Sequence, residues 1–319
     1  MGVIDSISEG LAIVRRRPLL MAIPVLVDLF LWLAPTVSIS PLTEQVADTI
    51  ATMGAGAENA ESVQAASDLL VSMGRDSNLL ALLANSVVGI PSFLASGIPE
   101  GLWRPFAGVE VGSARAAVAL ALILALAGLA VGAGYLTAVA VAVQGQRPTL
   151  PEALRRAGRN TVRLLSAVLA LVALLVLLGV PLSLFMSLLM LISPTLASLV
   201  TTLVGLLAVW AGLWALFYLF FVVDAMVLQE IGLQRSILNS VMVVRTNFWS
   251  VLGLIILLNV LAAGFTVVWH WVASMLPLGA LVAVAGNTFV GSGLVAASLV
   301  FYRGRYEALL AKVSELGRS

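Results

Sequence analysis

Apolar residues in this chain run in long uninterrupted blocks, and the intervals between charges measure them. Between Arg163 and Asp224 lie 60 uncharged residues, and between Arg245 and Arg303 another 57. A membrane-spanning helix needs about 20 apolar residues, since the hydrocarbon core is ~30 Å thick and a helix rises about 1.5 Å per residue. Each interval therefore holds two spans and a turn, which places helices over 164–190, 196–228, 249–273 and 278–302. The 31 uncharged residues between Arg115 and Arg147 predict one long helix over 113–143, tilted or projecting past the bilayer. From Arg17 to Glu44 the only charge is Asp28, so 18–37 reads as the first span. The expected architecture is all-α and polytopic, with six transmembrane helices.

Elsewhere the apolar positions recur at helical spacing on one side only. In 144–163, Thr149-Leu150-Pro151-Glu152 has the form of a capping box. Arg155, Arg156, Arg159 and Arg163 then share one face of a basic amphipathic helix, opposite Leu150, Ala153, Leu154 and Ala157. Similar helices are expected over 1–17 and 229–248, and a short tail over 303–319. The chain thus reads as three units, each an amphipathic surface helix followed by a hairpin of spans. Residues 38–112 form the one large loop, with helices expected from Ser40-Pro41 and up to Gly74. Within it, 77–99 carries no charge for 23 residues but is broken by Asn85, Ser86, Gly89, Pro91, Ser92 and Gly97. It reads as an interfacial or re-entrant segment rather than a seventh span.

Charge orients this arrangement. Arginine and lysine collect on the cytoplasmic side of short loops, and with the N-terminus inside, 14 of the 17 basic residues are cytoplasmic; Arg75, Arg104 and Arg115 are the exceptions. Both termini are then cytoplasmic. Half of the 16 acids (Glu44, Asp48, Glu58, Glu61, Asp68, Asp76, Glu100 and Glu110) lie in the outer loop. The run after Arg17 is too long, and too interrupted by Asp28, for a cleaved signal peptide. Composition agrees: 61% hydrophobic and 10% charged residues exclude a soluble enzyme or a nucleic-acid-binding domain. With no cysteine and the single His270, no thiolate chemistry, histidine metal site or Ser-His-Asp triad is expected, and neither is a cofactor.

The candidate functional positions are the polar residues inside spans. Asp28 stands about 15 Å into the first span, where a charge costs about 2.5–3.5 kcal/mol and often marks an ion or proton path. Asp224, near Glu230, Arg235 and Arg245, reads best as part of an inner-surface salt bridge, and Asn259 and Asn287 as cross-helix hydrogen bonds. Gly128 with Gly132, and Gly293 with Ala297, have the small-xxx-small spacing of close helix packing. Arg155, Arg156, Arg159 and Arg163 are candidate contacts for anionic phospholipid headgroups.

Asp224 through Gly253 includes Leu228-Gln229-Glu230-Ile231-Gly232, Arg235-Ser236 and Arg245-Thr246-Asn247-Phe248-Trp249-Ser250. With Arg17-Pro18-Leu19-Leu20 and Ile23-Pro24-Val25-Leu26-Val27-Asp28-Leu29, this stretch resembles a group of prokaryotic six-helix integral membrane proteins. These are similar to the membrane portion of some glycerophosphodiester phosphodiesterases. The resemblance implies a prokaryotic cell membrane protein and no catalytic residue, because the phosphodiester chemistry of those proteins belongs to a soluble domain. The expected function is therefore non-enzymatic: a scaffold, assembly partner or accessory subunit that binds another protein or its own copies. The alternative is a small transporter or lipid-handling protein using Asp28 in an intramembrane path.

Overall fold

The computed structural model describes residues 2–54, 60–86, 88–97, 102, 104–275 and 278–316. Glu58, Glu100, Arg318 and the end of the 77–99 segment lie outside the described residues. The protein is all-α apart from one two-residue strand pair among the described residues. Helix α1 (Val3–Arg16) carries Asp5 in its first turn and Arg15 and Arg16 in its last, complementing the helix dipole at both ends. A 3-10 turn over Pro18–Met21 leads into α2 (Ala22–Leu33). Together they reach about 26 Å, short of the hydrocarbon core, and the chain turns extended at Ala34. By length and composition five helices can cross a membrane, and Pro18–Leu33 is a shorter apolar helix.

Beyond α2, strand β1 (Val37–Ser38) pairs in parallel with β2 (Val109–Glu110) and closes the base of the 38–112 loop. Between them α3 (Ser40–Gly54) and α4 (Ala60–Asp76) form a hairpin. Gly74 sits so close to Thr43 that no side chain would fit between the two helices. The strand pair was not expected; two residues are too few to show alternation.

The long helices follow: α5 (Ala114–Val143), α6 (Leu150–Ile192), α7 (Pro194–Tyr218), α8 (Val222–Gln229), α9 (Leu233–Thr246), α10 (Phe248–Met275) and α11 (Gly279–Leu316). Two features depart from the sequence reading. The basic stretch before the third span is not a separate surface helix: α6 runs unbroken for 43 residues, about 65 Å, through Pro181. The fourth span, expected to be continuous, is interrupted at Leu219–Phe221 between α7 and α8. Ser240 of α9 holds this break, accepting from Phe221 N at 3.2 Å and donating to Tyr218 O at 2.8 Å.

The chain forms two compact units. The first comprises 1–13, 136–259 and 294–319. It is built around Phe221, which stacks on Phe301 at 5.9 Å and tilts against Tyr302 at 5.5 Å. The second comprises 14–135 and 260–293, and its apolar cluster includes Leu31, Leu80, Phe93, Leu124 and Val284.

Candidate functional site

In the second unit, the segment 78–97 is mostly non-helical and packs among helices at depth. The carbonyls of Leu82 and Leu83 lie where a side chain at Gly128 would stand, about 21 Å along α5. Val88 and Ser86 meet Gly132 one turn further, and Pro91 meets Gly291, about 18 Å along α11. Gly128 and Gly132 therefore receive this segment, with Gly128 against its 3-10 turn Leu79–Leu83. Gly293 is buried, and Gly291 approaches Pro91 closely.

Asp28 is the anchor of the segment and is itself fully buried. Its carboxylate accepts from Ser92 Oγ at 2.5 Å, Phe93 N at 3.1 Å and Leu94 N at 3.0 Å. It thus caps the short 3-10 turn Leu94–Ser96 together with Ser92, whose Oγ accepts from Ala95 N at 3.1 Å. Three donors converge on one carboxyl group and satisfy its oxygens as acceptors. His270, expected at the interface, donates from Nδ1 to Thr266 O (2.9 Å) and packs its ring on Phe93 at 4.8 Å. Deeper, Tyr135 donates to Ser292 at 3.0 Å. The Oγ of Ser86, the Oγ1 of Thr288 and the Nε1 of Trp269 are buried without partners among the described residues. In the 38–112 loop, burial lowers the affinity of the Arg104 guanidinium for its proton, and two of its nitrogens have no acceptor among the described residues.

The first unit carries a second polar cluster. Asp224, in the first turn of α8, is 9% exposed and accepts from Ser298 Oγ at 2.5 Å. No cation lies within 4.0 Å of it among the described residues, so the expected salt bridge is not formed: Arg235 and Arg245 are exposed. The arginines of α6 turn instead to Glu230. Arg159 Nη2 reaches it at 2.8 Å, Arg156 Nε at 3.6 Å and Arg163 Nη1 at 3.9 Å. Glu230 closes α8 with φ of 52°, a left-handed conformation that favours glycine. A glutamate there is favoured by what its side chain holds.

No family model, curated protein or solved structure matches this chain. The geometry alone therefore carries the functional reading.

Around Glu230 the helix ends are tied by side chains. Gln144 donates to Leu228 O at 2.8 Å, Arg303 to Val143 O at 2.9 Å, and Gln229 to Tyr302 OH at 3.0 Å. Asn239 donates to Gln229 at 2.8 Å, and Asn160, held by Arg163, donates to Thr137 at 3.0 Å. Asn259 does not cross to another helix: it is exposed and bonds its own Ile255 carbonyl at 2.8 Å. Asn287 is half-buried without a hydrogen-bond partner among the described residues. Arg155 is exposed, leaving three of the four candidate arginines clustered. Sequence reasoning missed Ser92, Ser298, Gln229, Asn239 and Tyr302 as partners. Ser92, just after Pro91 and before a turn, carried the one usable signal, that of a capping residue.

Proposed function

We propose that this protein is a non-catalytic, multi-pass cell membrane protein with both termini cytoplasmic, acting as a scaffold or accessory subunit that holds a partner through its third and fourth spans. The observation that carries this reading is the bare hairpin α6–α7. The most apolar stretch of α6 has none of its residues buried, and that of α7 only 6%. Along α7, Ser198, Thr201, Gly205, Ala208 and Gly212 recur at alternate spacings of three and four. A side chain at Gly205 or Gly212 would meet nothing within 4 Å. Small residues at this spacing let a second helix approach closely, the main source of helix affinity in lipid.

Against a solute path through Asp28 stands the occupation of both its oxygens by fixed donors. The segment 78–97, read as re-entrant, serves in this proposal as structural filling of the second unit.

The test is the size of the particle extracted in mild detergent, with the native chain compared with Gly205→Leu/Gly212→Leu. The native protein is expected in a complex larger than one chain, and the double variant as a folded single chain. Extraction of the native protein as a lone monomer would refute the proposal.

A further inference from the structure

We propose that the groove between α6 and the turn joining α8 to α9 binds the phosphodiester headgroup of an anionic glycerophospholipid. This inference rests on the chain spanning a membrane and not on the partner-holding role of α7. The groove has a volume of about 600 Å³, within the ~300–1,000 Å³ range of small-molecule sites. It is lined by Ser166 of α6 and by Glu230 through Arg235.

Charge is the first argument. Arg235 lines the groove, and Arg156, Arg159 and Arg163 converge on its Glu230, with Glu152 the one other carboxylate paired to them among the described residues. Glu230 cannot satisfy the arginines that gather on it. Only Arg159 hydrogen-bonds it, at 2.8 Å, while Arg156 Nε and Arg163 Nη1 stay at 3.6 and 3.9 Å, too far for a hydrogen bond. Arg156 also bonds Gln146 and Glu152, and Arg163 bonds Asn160, but with five donors on each guanidinium the cluster retains donors for a second anion. Phosphate oxygens, with more acceptor positions than one carboxylate, fit that surplus.

Depth is the second argument, and it selects a lipid over a free anion. Because α6 is continuous, Arg163 and Ser166 lie three residues apart on one rod that leads directly into the exposed apolar run from Leu169 to Leu178. The groove thus sits where charge gives way to hydrocarbon, the level of headgroups. Ile231 and Leu233 add apolar lining beside the polar groups, suited to a glycerol backbone and the start of an acyl chain. In this arrangement Glu230 is an internal anion that competes with the lipid phosphate for the same arginines.

The full-length protein, exchanged into mixed phosphatidylglycerol and phosphatidylcholine nanodiscs, is to be examined by native mass spectrometry after detergent release. Retention of phosphatidylglycerol is expected to exceed that of phosphatidylcholine by about tenfold. Arg159→Gln/Arg163→Gln should abolish the preference. Ser166→Leu, which fills the groove without removing charge, should do the same and guards against a folding defect in the double variant. Glu230→Gln, lacking the internal competitor, should raise retention. Equal retention of the two lipids by the native protein overturns the proposal, as does an unchanged preference in Ser166→Leu. Displacement of the lipid by millimolar inorganic phosphate also overturns it, in favour of a free-anion site.

Discussion

The two buried aspartates differ in what surrounds them, and that difference sets opposite expectations for the same substitution. Asp28 serves two backbone N–H groups and a hydroxyl. In Asp28→Asn one oxygen becomes a donor facing donors, and an orphaned buried group costs about 1–3 kcal/mol. A loss of about 2 kcal/mol is expected in denaturant unfolding, on the same scale. The segment should also loosen. The chain has no cysteine, so Ala84→Cys, at a position now fully buried, reports this directly through maleimide labelling. Labelling should be slow in the native background and fast with Asp28→Asn; equal rates would remove Asp28 as the anchor. Asp224 has a single hydroxyl donor and no cation, an environment that does not reward a charge. Asp224→Asn keeps an acceptor for Ser298 and is expected to lie within about 1 kcal/mol of the native protein. A loss equal to that of Asp28→Asn would show that the donor count does not distinguish them.

At the level of elements, glycine positions divide by what they face. A leucine at Gly128 would collide with the backbone of Leu82 and Leu83, which cannot withdraw without moving the inserted segment. Overpacking of this kind costs about 1–3 kcal/mol. The same change at Gly205 meets open space and should leave unfolding unaltered. Circular dichroism melting of the two variants side by side checks the contrast. These contacts also show which elements the sequence disclosed. Charge-free intervals located the five long helices because a bilayer imposes one length on every span. They overestimated the first, since an apolar interval does not distinguish α-helix from the 3-10 turn at Pro18 and the extended chain after Leu33. The Asp28 site stayed hidden for another reason. Its donors lie 64 to 66 residues away, and periodicity carries no information about such pairs. The spacing of Arg156, Arg159 and Arg163 puts them on one face, but their convergence on Glu230 depends on a turn 67 to 74 residues further on.

For the whole molecule, the 14-to-3 division of basic residues is an orientation that labelling can read. Ser72 on α4 and Ser314 on α11 are both exposed. In intact cells, an impermeant maleimide should react with Ser72→Cys at once and with Ser314→Cys only after permeabilisation; the reverse pattern would invert the topology. The two polar clusters then belong to different units, one anchoring a segment inserted from the outer loop and the other binding helix ends together at the arginine-rich face.

The smallest element, the parallel pair of Val37–Ser38 with Val109–Glu110, changes how the outer loop can be altered. Strands in register lie about 4.8 Å apart, so the stalks leading into and out of this excursion are tied at its neck. Whatever replaces α3 and α4 is held at the same two points. The helical hairpin is accordingly a cassette: it can be shortened, exchanged or loaded with a fused domain, while the neck keeps the first apolar helix and α5 at their present spacing.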